Sequence, residues 1–128
     1  MKRVTGIGGI FFQAQNPAAL HAWYKAHLGI DVQSWGGAAF TWADADGNPV
    51  KGTTIWSVGQ AGGDHFAPSK APFMVNYRVD DLDALLAALR VEGCNVLDRT
   101  DDSEYGKFGW VIDAEGNKVE LWQPPPGQ

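Results

Sequence analysis

Apolar and polar positions along the chain change period several times, and each change marks an element. Residues 4–13 alternate, with Ile10 and Phe12 on one side and Gly9, Phe11 and Gln13 on the other, which reads as a strand. Asn16 then fits an N-cap and Pro17 the first helical position, where a missing N–H costs nothing. Leu20, Trp23, Tyr24, His27 and Leu28 recur at helical spacing up to Gly29, predicting a helix over 17–28. Strand-type runs follow over 31–35, 38–44 and 53–58. The series then restarts with a strand over 72–79 and a helix over 81–92, where Asp80 or Asp81 caps a stripe of Leu82, Leu85, Leu86 and Leu89 that Gly93 stops. Strands over 94–99, 106–113 and 117–123 complete it.

The chain is therefore a duplication, and one short motif marks both copies. Asp44-Ala45-Asp46-Gly47-Asn48 returns as Asp113-Ala114-Glu115-Gly116-Asn117, a tight-turn composition in which Gly and Asn accept positive φ. Each copy is followed by a strand ending on Trp, Thr53-Thr54-Ile55-Trp56 and Val119-Glu120-Leu121-Trp122. Each half reads strand, helix, strand, strand, strand: module one spans about 4–58 and module two about 72–123. A Gly-rich linker over 59–71 joins them, and the Pro-rich tail from Gln123 to Gln128 is expected to fray. The fold class is α+β: two tandem βαβββ modules, each a curved mixed sheet with a helix on its outer face, together enclosing a pocket.

Period-two alternation assigns the faces. Val119 and Leu121, Thr53 and Ile55, Phe73, Val75, Tyr77 and Val79, and Ile10 and Phe12 are assigned to the helices. The other face collects Phe11, Gln13, Thr54, Trp56, Met74, Asn76, Arg78, Glu120 and Trp122, aromatic walls with a few polar groups and one carboxylate. That mixture suits orienting an organic ligand, and these nine residues are the expected ligand-binding set. The segment from Glu104 to Trp110 could line the pocket mouth, but Phe108, Trp110 and Ile112 alternate with Gly109 and Val111, so its inward parity is open.

Composition narrows the partners. The 128 residues carry 10 Lys and Arg against 15 Asp and Glu, a formal charge of −5. Polyphosphate affinity comes mainly from clustered Lys and Arg, so neither nucleic acid nor an anionic membrane surface is expected as a partner. A single cysteine, Cys94, excludes an intrachain disulfide and is expected to be a buried small apolar residue. The longest apolar runs, such as Ile10-Phe11-Phe12, fall far short of the roughly 18 residues of a spanning helix, and no signal-peptide pattern opens the chain. A cytoplasmic location is the expectation.

The duplicated strand-helix-strand-strand-strand order, with Val79-Asp80-Asp81-Leu82-Asp83 opening the second helix and Asp113-Ala114-Glu115-Gly116-Asn117-Lys118-Val119-Glu120-Leu121-Trp122 near the end, resembles the vicinal oxygen chelate superfamily. This is the group of glyoxalase I, bleomycin-resistance proteins and extradiol dioxygenases, and the resemblance covers about residues 4–123 as one glyoxalase/bleomycin-resistance-like domain. It implies a divalent metal held by His and Glu from four inner strands. Carried over by position, those ligands fall at Gly9, Thr54, Met74 and Glu120, and only Glu120 has a suitable side chain. One carboxylate does not make a catalytic metal site, which takes about three protein ligands. No metal ligand and no cofactor are expected, with a divalent metal ion on atypical ligands, His65 with Glu120, as the alternative. The resemblance also implies a homodimer.

Two functions remain open on the sequence. One is a small-molecule-binding protein with a metal-free pocket for an aromatic or amphipathic organic ligand. The other is an enzyme of the same superfamily, a lyase, isomerase or dioxygenase, with Glu120 as the acid/base or as part of an atypical metal site. Apolar neighbours should raise the carboxyl's pKa unless Arg78 pairs with it. A purely structural Glu120, paired with Arg78 or Lys118, is a third possibility.

Overall fold

A computed structural model describes residues 2–128. Its order is β1 (Val4–Ala14), α1 (Pro17–Leu28), β2 (Gly37–Ala43), β3 (Pro49–Gln60), β4 (Phe73–Val79), α2 (Leu82–Val91), β5 (Asn95–Ser103), β6 (Gly106–Ile112) and β7 (Lys118–Gln123). The strands form one curved mixed sheet in the order β2-β3-β1-β4-β7-β6-β5. The duplication is visible in the pairing: β1 runs parallel to β3 as β4 runs parallel to β7, and β1 and β4 meet antiparallel in the middle.

The caps form as the sequence predicts. Asn16 Oδ1 accepts from Ala19 N and Asp81 Oδ1 from Ala84 N, each at 3.1 Å, so each side chain satisfies an otherwise unpaired N-terminal amide. Gly29, at φ 66°, ends α1 in the left-handed conformation that glycine adopts without penalty. The two repeated turns are built alike: Asp44 Oδ1 accepts from Asp46 N and Asn48 N, and Asp113 Oδ1 from Glu115 N and Asn117 N, all at 2.9 Å.

Each helix covers one outer surface. Leu82, Leu85 and Leu86 of α2 pack with Val79 and Leu121, and Leu20 and Tyr24 of α1 pack with Trp56, Val58 and Ala38. A third cluster, Phe66, Met74 and Trp110 with Phe11, Leu97 and Phe108, lies on the opposite face.

Four expectations need correction. No strand forms over 31–35: these residues run as coil into a turn, and module one contributes three strands to module two's four. The faces of β3 are inverted, since Trp56 packs under α1. The tail does not fray. Gln123 closes β7, its Oε1 accepts from Leu82 N at 2.9 Å, and the Gln128 carbonyl accepts from Arg78. Cys94 is exposed. Among the described residues no helix is long and apolar enough to cross a membrane.

Candidate functional site

Among the described residues, two cavities that share Phe11 form the candidate site on the face away from the helices. The larger, about 560 Å³, is walled by Phe11 of β1, Trp35 before β2, Tyr105 of the β5–β6 turn, Phe108 of β6 and Trp122 of β7. Phe108 and Trp122 stack with ring centroids 6.3 Å apart and planes 15° apart. The Trp122 Nε1 donates to the Tyr105 carbonyl at 2.8 Å, which fixes the indole and leaves its faces for packing. Thr53, Ile55 and Gly8 complete the lining together with Asn76, and Gln128 of the returning tail reaches the same cavity.

Gly8 is needed here. Its neighbourhood is a break in the β1–β4 register, between Ile7 and Gly9. A Cβ on Gly8 would run into Asn76 Oδ1 and lie 2.8 Å from Trp122 Cε3, so only glycine leaves both side chains where they are.

The second cavity, about 390 Å³, is lined by Phe11, Gln13, Ser57, His65, Phe66 and Glu120 among others. It lies partly under the linker, whose Phe66 is buried against Met74 and Trp110. Glu120 is 5% exposed and is held from two sides: Asn76 Nδ2 donates to Oε2 at 2.8 Å and Trp110 Nε1 donates to Oε1 at 3.2 Å. Burial pushes its carboxyl above the ordinary glutamate value, and these two donors and the Lys118 charge offset that rise only in part. His65 is shifted down, by burial first and by the Lys118 and Arg99 charges second, which favours the neutral imidazole.

Asn76, 2% exposed, stands between the cavities. Its nitrogen is committed to Glu120, while its Oδ1 is buried with no hydrogen-bond partner. A buried amide oxygen left unpaired costs on the order of 1–3 kcal/mol, so it marks a position where a partner is missing.

The nine ligand-binding candidates separate into groups. Phe11, Asn76 and Trp122 line the larger cavity; Phe11, Gln13 and Glu120 line the second. Met74 is fully buried between them and the linker. Arg78 turns away to the Gln128 carbonyl, with its guanidinium 5.5 Å from the Trp42 ring centre. Thr54 and Trp56 are on the wrong face for either cavity. Thr54 Oγ1 donates to the Ile7 carbonyl at 2.7 Å and accepts from Trp42 Nε1 at 2.8 Å, and Trp56 meets Tyr24 of α1. Their places are taken by Thr53 and Ile55, and Trp35, Gly8 and Gln128 are lining residues the alternation does not reveal. The inward parity of β6 is settled: Phe108 and Trp110 point inward, while Gly109 and Val111 face α2. Neither Arg78 nor Lys118 bonds to Glu120; the Lys118 ammonium donates to the His65 carbonyl at 2.8 Å.

The register also corrects one metal position. Asn76 pairs with Glu120 five residues before the cap Asp81, and Phe11 pairs with Ser57 five residues before the cap Asn16. The first-half counterpart of Glu120 is therefore Ser57 and not Thr54. The metal that the fold family implies would find Gly9, Ser57, Met74 and a carboxylate whose two oxygens already accept N–H donors. This donor set does not fit a divalent ion, and among the described residues no three His, Cys, Asp or Glu side chains converge.

A glyoxalase-like domain model matches residues 9–122. The chain belongs to that family, within the vicinal oxygen chelate superfamily. It is similar in fold to methylmalonyl-CoA epimerase from Mycobacterium tuberculosis, with a TM-score of 0.65 and 19% identity over 98% of this chain and 92% of the other. A methylmalonyl-CoA epimerase bound to methylmalonyl-CoA and NH4+ matches with a TM-score of 0.70 and 20% identity over 98% of both chains. A structure described as an NAD-dependent benzaldehyde dehydrogenase from Legionella pneumophila matches with a TM-score of 0.59 and 13% identity over 91% of this chain and 98% of the other. Identities this low establish the fold alone, and the differing activities show why function has to be argued from the site. A search of curated proteins gives no significant match.

Proposed function

We propose that this protein binds a small aromatic or amphipathic organic molecule in the larger cavity, without a metal ion. The observation that carries this reading is the lining itself: five aromatic side chains around about 560 Å³, with one buried, unpartnered amide oxygen at Asn76. A cavity of that size suits a drug-sized ligand, and a mostly apolar wall with a few polar groups is the usual composition of such sites. The epimerase relatives bound to acyl-CoA compounds support a small organic ligand in this fold. Calorimetric titration with a panel of aromatic compounds tests the reading, with Phe108→Ala as the control. Binding that weakens at least about tenfold in Phe108→Ala supports it; the absence of any aromatic ligand, or indifference to Phe108, would overturn it.

One observation favours a second reading, that the protein is an enzyme of proton transfer. Glu120 is a buried carboxylate on an accessible cavity, with its pKa raised toward the range in which a carboxyl can take and return a proton. In that reading Glu120 removes a proton beside a substrate carbonyl, and Asn76 and Trp110 hold the carboxylate in place. Glu120-dependent exchange of solvent deuterium into a bound carbonyl compound, lost in Glu120→Gln, is the supporting result.

A further inference from the structure

The Asn76 side chain lines the larger cavity and is bonded to Glu120 of the second, and its two ends are chemically opposite. The amide nitrogen faces Glu120, and the amide oxygen lies buried and unpartnered against Gly8, a lining residue of the larger cavity. Which end faces which way is dictated by Glu120. An ionised carboxylate only accepts hydrogen bonds, so the amide must turn its NH2 to Oε2 and its oxygen to the cavity. Trp110 Nε1–H, a donor without acceptor capacity, occupies Oε1 and leaves Oε2 as the one oxygen on which the pair can rearrange.

We propose that Asn76 is the specificity-determining residue of the larger cavity and that Glu120 is its positioning residue, so that the cavity selects ligands bearing an O–H or N–H donor while Glu120 is ionised and accepts ligands bearing only an acceptor when Glu120 is protonated. This rests on the binding reading above and names the ligand class within it. In the protonated state the proton sits on Oε2 and is donated to Asn76 Oδ1. The amide then presents its NH2 to the cavity, and the buried oxygen that has no partner in the ionised state gains one.

The groups around Glu120 are consistent with such a two-state pair. Asn76 from β4 and Trp110 from β6 are neutral donors, and Phe11 and Gln13 from β1 line the same cavity without charge. The charged groups are Lys118 of β7, which favours the carboxylate, and Asp101 of β5, which opposes it. His65 of the linker shares the cavity and is shifted toward neutrality, and Arg99 of β5 lies over the Trp110 ring, 5.4 Å from its centre. Burial raises the carboxyl's pKa, which favours the protonated state relative to an exposed glutamate.

The test uses two probes with one ring system, 2-naphthol, which carries an O–H donor, and 2-methoxynaphthalene, which carries only an acceptor. Titration calorimetry near neutral pH should show the naphthol binding about tenfold tighter than the ether, the cost of facing an acceptor with no donor. In Glu120→Gln the oxygen of the introduced amide must take the Trp110 N–H, its NH2 must face Asn76, and Asn76 must turn its own NH2 to the cavity. The ether should then bind about tenfold tighter than it does to the native protein, and the preference should disappear. Lowering the pH of the native protein from about 8 to the acid limit of its folded state should raise the ether's affinity in the same direction, which keeps the test decisive if Glu120→Gln does not fold. Asn76→Ala should bind both probes alike at every pH. Equal affinities in the native protein, or an ether affinity indifferent to both Glu120→Gln and pH, would overturn this inference and leave the binding reading standing. If neither probe binds, this inference fails, and the binding reading falls only if the wider aromatic panel also fails.

Discussion

Tyr24 of α1 packs edge-on against Trp56 of β3, with ring centroids 4.9 Å apart and planes 68° apart. Trp56 is 8% exposed and shares its cluster with Ala38 and Val58, so it ties the first helix to the sheet. Trp56→Ala is expected to cost about 3–5 kcal/mol, the range for removing a buried large aromatic. The indole lies on the face opposite the larger cavity, so ligand affinity there should stay within about twofold. Urea denaturation and ligand titration on the same variant check both halves, and a loss of affinity without a loss of stability would contradict the placement.

That placement also shows where alternation along a strand stops being informative. Trp56 and Trp122 follow the two repeated turns, but Trp56 lies eight residues beyond Asn48 and Trp122 five beyond Asn117. The difference of three is odd, and an odd shift moves a side chain to the other face. Two of the extra residues are absorbed where the β2–β3 register slips between Thr41 and Ala43, beside Gly52 at φ 142°, and the third places Trp56 one position further along its strand than Trp122, which is the step that changes its face. In β4 and β7, where the strands run without a slip in their mutual register, Asn76, Glu120 and Trp122 fall on the expected face. Trp35 and Tyr105 sit in turns, outside any period, and Gln128 arrives through a tail with no pattern of its own. Architecture was thus legible wherever period and caps agreed, and the site was legible only on the strands of the second module and on β1.

Gly8 gives a direct handle on the larger cavity. A methyl group there must displace either the Asn76 oxygen, whose side chain is anchored on Glu120, or the Trp122 ring, which is anchored on the Tyr105 carbonyl. Gly8→Ala is expected to destabilise by about 1–3 kcal/mol, as overpacking does, and to weaken aromatic ligands at the same time. Thermal melts with and without ligand separate the two effects: the ligand-induced rise in Tm should shrink in the variant.

Stability should respond to pH in two opposite ways. The Glu120 pKa is raised in the folded state, so the folded protein binds this proton more readily than the unfolded chain. Its contribution is fully present below the unfolded value and is lost as pH rises through the folded value. Asp44 and Asp113 are lowered, Asp44 first by the Asn48 amide of its backbone and Asp113 first by the Asn117 side chain. Their contribution is present above the unfolded value and is lost as pH falls through the folded one. His65, shifted down, costs stability as pH falls and so opposes Glu120 in mild acid, which makes the gap between the native protein and Glu120→Gln the quantity to read. Glu120→Gln should melt a few degrees above the native protein at neutral pH and lose that advantage in mild acid. A Tm gap between the two proteins that does not change with pH would show that Glu120 is not desolvated as described.

Phe66 links the linker to that same carboxyl. It is 4% exposed, packs on Met74 and Trp110, and walls the second cavity beside Glu120. The neighbouring His65 carbonyl is tied down by the Lys118 ammonium at 2.8 Å, so the linker is held at two adjacent residues, one by burial and one by charge. Phe66→Ala should cost about 3–5 kcal/mol and admit water to the cavity. Since burial is the main cause of the raised Glu120 pKa, that water should bring the carboxyl down toward the ordinary glutamate value. Lys118→Met removes only the polar tie, and its loss of positive charge should move the same pKa upward. Carboxyl-carbon NMR titration of Glu120 in the two variants measures both shifts. Opposite signs are expected, because one substitution removes desolvation and the other removes an attractive charge; shifts of one sign would mean that both act only by loosening the linker.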